Sequence, residues 1–174
     1  MKQEGDLSVR LRLWSEGDLP LLEQLLGDPQ MTEHIGGPEN AEQLVQRHKR
    51  YVDLPGTGKG QMFVIVANAE PAGSIGYWEA KLKGQPIYEV GWSVLPAFQG
   101  RGIASKATRA ALEIIRSDGK HRIVHAFPSI ANQSSNALCR SVGFSLIEEA
   151  EFEYPKGHFM RCNDWMIDLG EGGQ

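Results

Sequence analysis

The chain has 174 residues, 41% hydrophobic and 23% charged, which fits one globular domain with its own core and excludes a largely disordered chain. Lys plus Arg number 18 against 22 Asp plus Glu, a formal net charge of −4, which argues against a general nucleic-acid binder, since neutralising phosphates needs a basic face. Two cysteines, no apolar stretch at the start and no apolar run longer than residues 63–67 predict no disulfide framework, no signal peptide and no membrane helix, so a cytoplasmic protein that contacts no membrane is expected.

Val9, Leu11 and Leu13 alternate with Arg10 and Arg12, the period of a strand. Ser15 or Asp18 can cap a helix, Pro20 suits its first turn, and Leu21, Leu22, Leu25 and Leu26 form its apolar stripe up to Gly27. A polar stretch rich in Gly and Pro follows at 28–40, then a second helix over 41–51 and a loop at 53–60. Strands are predicted at 61–67, 73–81 and 87–95, separated by turns at 68–72 and 83–86; short turns between adjacent strands predict an antiparallel meander. A glycine-rich loop over 97–102 leads into a helix over 103–116, ended by Asp118 and Gly119. A short strand at 122–127, a short helix at 134–142 capped by Gly143, and two closing strands at 145–153 and 159–169 around a turn at 155–158 complete the chain. The order predicts one mixed α/β domain spanning 1–174, with a core over about 8–169 and no linker.

The most informative stretch is 89–104, where a strand ends, glycines follow and a helix begins at once. Unpaired N–H groups and the positive dipole end at a helix start attract anions. Gly100 and Gly102 let backbone approach a ligand, and Arg101 adds charge. A plain strand–helix turn has the same composition, so the glycines alone leave both readings open. Ile103, Ala107, Ala110, Ala111, Ile114 and Ile115 give the helix an apolar face, and its small alanines let it lie close to a sheet.

Other motifs fail on their own chemistry. The run Gly56-Thr57-Gly58-Lys59-Gly60 lacks the first glycine of a P-loop and the Ser or Thr that holds magnesium. Gly100-Arg101-Gly102 lacks the third glycine of a dinucleotide fingerprint, and Lys120 and His121 stand where an acidic ribose ligand belongs. His121 and His125 are too far apart along one strand to share an ion, and no His/Cys cluster has ligand spacing, so no metal is expected.

Gln99-Gly100-Arg101-Gly102-Ile103-Ala104 resembles the Q/R-x-x-G-x-G/A signature of the GCN5-related N-acetyltransferase (GNAT) superfamily. Asn132-Gln133-Ser134-Ser135-Asn136, followed by Gly143-Phe144, resembles its N-x-x-S-N…G-F segment, particularly in the branch of the ribosomal-protein alanine acetyltransferases. The resemblance spans about 8–169 and implies a mostly antiparallel sheet that splays at an acetyl-CoA cleft, flanked by helices. It implies that acetyl-CoA is the co-substrate: the pantetheine arm pairs with backbone near Val94, and the pyrophosphate sits on the N–H groups of Gln99, Gly100, Arg101, Gly102, Ile103 and Ala104. Asn132 and Asn136 would contact the cofactor near its thiol; either Asn132 or Ser134 also makes a good helix N-cap.

Transfer of acetyl to an amine needs a neutral amine, a polarised thioester and a proton for the leaving thiolate. Strand alternation puts Glu89, Gly91 and Ser93 on one face and Tyr88, Val90, Trp92 and Val94 on the other. Glu89 is thus a lone carboxylate among small residues, the candidate general base; a Glu paired with a cation or at a wet edge would show the same pattern. Where the family carries a tyrosine as acid this chain has Cys139, the candidate acid here, with packing as its structural alternative. Ser135 or water are other donors. Cys162 reads as filler, and Trp14, Trp78, Trp92 and Trp165 as core or cleft walls. In the family the stretch matching residues 31–40 and the second helix shapes the acceptor pocket; Glu33, His34, Glu39 and Glu42 make it somewhat acidic, which would suit a cationic amine and is equally the pattern of solvated surface charge. The expected function is N-acetylation of a small amine or a protein N-terminus; a non-catalytic acyl-CoA-binding or sensing domain is the alternative. Monomer and homodimer both remain open.

Overall fold

The computed structural model describes residues 7–153 and 156–170; Pro155, in the expected final turn, lies outside them. One sheet of seven strands runs β1 (Val9–Leu13), β2 (Gly60–Ala67), β3 (Glu70–Leu82), β4 (Gln85–Val94), β5 (Ile123–Ala126), β7 (Phe159–Asp168) and β6 (Ser145–Glu153) from edge to edge. Every neighbouring pair is antiparallel except β4 and β5. Those two are parallel, and α3 (Ile103–Asp118) is the crossover that a parallel pair requires.

The meander is tighter than the sequence predicts. β2 and β3 are joined by Asn68 and Ala69 alone, with φ of 47° and 69°, and β3 and β4 by Lys83 and Gly84, with φ of 50° and 78°. Two successive residues at positive φ make the two-residue turn whose twist matches a hairpin. Residues expected in turns, Glu70, Pro71, Gln85 and Pro86, are therefore strand residues. The β3–β4 register follows: Leu82 faces Gln85, and Trp78 faces Glu89.

β2 is buried on both faces, which explains its unbroken apolar run. Phe63, Ile65 and Ala67 join a cluster with Ile75, Tyr88, Val90, α3 and α4 (Gln133–Val142). Met62, Val64 and Val66 join Trp14, Leu44 and α1 (Leu19–Leu26), with α2 (Ala41–Asp53) behind. Helices thus cover both faces, and α3 meets the sheet through Ile103, Ala107, Thr108, Ala111, Leu112 and Ile115. Ala110 and Ile114, expected on that face, are only half-buried. The apolar stripe is rotated from the expected one to take in Thr108 and Leu112, Thr108 being satisfied by donating to the Ala104 carbonyl at 2.7 Å.

Among the described residues no helix is long and apolar enough to cross a membrane. Ile115 has no exposed surface and lies under the C-terminal turn of α3. Ile115→Ala should lower stability by ~2–5 kcal/mol through lost burial and a cavity, read as an earlier midpoint in urea unfolding.

Candidate functional site

β4 and β5 are paired only at Tyr88–Val124 and Glu89–His125. Beyond Glu89 the two strands part, and a cleft of about 1050 Å³ opens between them. Its walls are the stretch from Met31 to Ile35, Trp78, the end of β4, the Gln99–Ser105 turn, α4 and the β6–β7 hairpin.

At one end of the cleft stands the N-terminus of α3. Gly100 and Gly102 have φ of 74° and 75°, and Gly102 is the residue just before the helix. Space around both is open, so the backbone conformation, and not crowding, calls for glycine there. Gly102, Ile103, Ala104 and Ser105 line the cleft, and the first N–H groups of a helix have no partner within it. The tight packing of Ala107 and Ala111 fixes this end in place. Arg101 is exposed, its guanidinium 5.9 Å from the centre of the Phe98 ring.

The end of β4 offers backbone to a ligand. Leu95 N–H donates back to Ala72 of β3 at 2.8 Å. The Val94 carbonyl of the same peptide unit therefore points the opposite way, toward the gap. It accepts from the Gln99 side-chain amide at 2.9 Å. An amide N–H is the donor that a pantetheine arm also carries, so this carbonyl fits such a group.

Glu89 lies on the floor of the cleft. Trp78, its cross-strand partner, donates its indole N–H to Glu89 Oε2 at 3.0 Å. Burial pushes the carboxyl above the usual carboxylate range, and the indole bond opposes that only in part. Opposite, Ser135 of α4 lines the cleft and its Oγ accepts from the Trp92 indole N–H at 3.2 Å. Trp92, read as core or cleft wall, spans from the core to the cleft wall.

The family model described as "Acetyltransferase (GNAT) domain" matches residues 8–145. The chain belongs to the GNAT acetyltransferases. Their co-substrate is acetyl-CoA. Three solved structures share the fold. A ribosomal L7/L12 α-N-protein acetyltransferase, RimL, in complex with coenzyme A has 21% identity and a TM-score of 0.79, over 93% of this chain and 94% of that one. The spermidine N-acetyltransferase of Vibrio cholerae, with CoA and spermine, has 16% identity and a TM-score of 0.77, over 93% and 96%. The aminoglycoside acetyltransferase AAC(6')-Ib, with coenzyme A, has 19% identity and a TM-score of 0.74, over 94% and 96%.

The second GNAT-like segment divides its residues among three tasks. Asn132 lines the cleft, and its side-chain oxygen caps α4 by accepting from Ser135 N–H at 3.1 Å. Asn136 is turned inward as a brace. Its amide donates to the carbonyls of Ser129 and Asn132 at 2.9 and 2.8 Å, and its oxygen accepts from Asn163 and the Trp165 indole, both at 2.8 Å. Cys139 has no exposed surface, belongs to the core beneath α3 and is not among the residues lining the cleft. Burial pushes its thiol up to about 12.

Several walls lay beyond the sequence reading: Phe127, Phe152, Met160 and Cys162 line the cleft. They come from β6, β7 and the residue just after β5, which meet only in the folded sheet. Cys162, read as filler, has its thiol pushed up by burial and, to a lesser extent, by the charge of Glu89. His121 and His125 do not converge: His121 meets Glu79 at 3.0 Å and His125 meets Asp164 at 2.5 Å. Among the described residues no group of three potential metal ligands comes together.

Acetyl-CoA should raise the melting temperature of the protein by binding the native state alone. Gly102→Glu, which sets a negative charge at the α3 N-terminus, should remove that rise while leaving the protein folded. Cys139→Ala should lower stability by ~1 kcal/mol through a small cavity, with turnover retained; a melting curve and a rate measured on the same sample check both halves.

Proposed function

We propose that the protein transfers acetyl from acetyl-CoA to a primary amine, of a small molecule or a protein N-terminus, by direct attack of the amine on the thioester. The observation that carries this reading is the placement of one desolvated carboxylate, Glu89, on the floor of a cleft that begins at the α3 N-terminus. In this reading the pyrophosphate rests on the Gln99–Ala104 turn, and the pantetheine arm runs along the end of β4 past Val94 to the level of Glu89.

The acceptor reaches the thioester from the other end. Glu33, Glu89 and Glu153 line the cleft, and the one arginine of the lining, Arg47, is engaged by Glu39. That balance favours an acceptor arriving as an ammonium ion. Glu89 takes its proton, directly or through a water. The amine nitrogen then attacks the carbonyl carbon; as the C–N bond forms and the C–S bond breaks, the nitrogen gives up its second proton to solvent. The leaving thiolate takes the proton of Ser135, whose hydroxyl accepts from Trp92 and keeps its own hydrogen to give. Solvent carries the Glu89 proton away and restores the serine. Ser135 suits the acid role better than Cys139, since its oxygen is in the cleft and the thiol is in the core.

A panel of amines and N-terminal peptides, followed by CoA release, tests the activity. Glu89→Gln should lower kcat by ~10²-fold or more while leaving acetyl-CoA affinity unchanged. The base works only when ionised, and its pKa is raised. Activity should therefore rise with pH through an inflection above the ordinary carboxylate range, and Glu89→Gln should abolish that inflection. Wild-type turnover in the variant would remove Glu89 from the mechanism.

A further inference from the structure

We propose that Trp78 is a positioning residue for the base, holding the Glu89 carboxylate toward the cleft, and that position 91 is glycine to admit the indole. The proposal rests on the assignment of Glu89 as general base. Trp78 and Glu89 are direct partners across the β3–β4 pair, on one face of the sheet, and both line the cleft. The indole nitrogen is a donor and nothing else, and an ionised carboxylate only accepts. The 3.0 Å contact therefore has one sense, and it fixes Oε2 while the other oxygen keeps its lone pairs for a proton.

Gly91 supplies an independent observation. A Cβ there would stand 2.9 Å from Cη2 of Trp78. Its φ is not among the positive ones, so the backbone conformation does not call for glycine. What the missing side chain leaves is room for the six-membered ring of Trp78. Removing that room would push the ring and draw the N–H away from the carboxylate.

The bond also adjusts the base. A hydrogen bond to the charged form favours ionisation, and burial opposes it. The other titratable groups around Glu89 are His125 of β5, held by Asp164 of β7, and Cys162 of β7; Glu33, His34, Arg47 and Glu153 line the same cleft. None of these changes in the variants below.

Trp78→Phe keeps an aromatic wall and deletes the donor. It should lower kcat about tenfold or more, leave acetyl-CoA affinity unchanged and move the acid limb of the kcat/KM profile upward by roughly one pH unit. The Glu89 carboxyl titration, followed by side-chain 13C NMR in the free protein, should move by the same amount. Gly91→Ala should reproduce both shifts by crowding the ring, and it serves if Trp78→Phe does not fold. Trp78→Phe in a Glu89→Gln background should cost nothing further. If Trp78 is only a wall, Trp78→Phe changes KM for the amine and leaves the limb and the titration in place, which overturns the proposal. If Glu89→Gln turns over normally, the base assignment itself has failed; if it is inactive while Trp78→Phe behaves as wild type, only the positioning proposal has.

Discussion

The parting of β4 from β5 after two paired residues is the constraint on which the rest of the site depends. Backbone donors and acceptors along β4 face the gap past Glu89. A strand end, a pair of left-handed glycines and a helix N-terminus all point into the same opening. Nothing in that arrangement would last if the walls could slide together. On one side α3 is locked by side chains as small as Ala107 and Ala111, which bring the helix axis close to the sheet. On the other, α4 is pinned by Asn136, which ties the Ser129 and Asn132 carbonyls to Asn163 and Trp165 of β7. Four hydrogen bonds on one half-buried amide are costly to break together, because the Asn163 amide and the Trp165 indole would lose the acceptor they share. Asn136 thus contributes to the cleft by holding its wall, although the resemblance assigned it to the cofactor.

The strand and helix sequence was largely legible, because both the period-2 runs and the α3 face are set by burial, which the pattern of apolar residues reports directly. The glycine turn was legible for a different reason: few residues tolerate the φ of 74° and 75° at positions 100 and 102. Register was not. Reading the turn between β3 and β4 as the four residues Lys83–Gly84–Gln85–Pro86 would set Glu89 opposite Ala80. The fold closes that turn with Lys83 and Gly84 and sets Glu89 opposite Trp78. Pro86 steered the reading toward a turn, yet it takes a strand position facing Lys81. A non-glycine residue at φ of 50°, Lys83, was the signal that composition could not supply.

The α4 segment shows the other limit. Ser134, Ser135, Leu138 and Ser141 face the cleft while Cys139 and Val142 face the core. Neighbouring positions on a helix are 100° apart, so one residue decides between a wall and the interior. A motif transferred by sequence position carries no such angle. It named Asn132, Asn136 and Cys139 together, and the fold sends them to the cleft wall, a brace and the core.

Glu89 shows why a neutral donor suits this site better than a cation. Among the described residues its hydrogen-bond donor is Trp78. An arginine or lysine at that distance would stabilise the carboxylate's charge strongly and drive its pKa down, leaving a well-held but feeble base. With no donor at all, burial would raise the pKa and leave the side chain free to turn among rotamers. A single indole N–H lies between these limits. It directs one oxygen, offsets part of the desolvation and leaves the carboxyl raised. Gly91 enters the same balance through space, since the indole can bond there only if its ring lies over a position without a side chain. In the proposed mechanism, base strength is therefore set by a tryptophan on one strand and by an absence of atoms on the next.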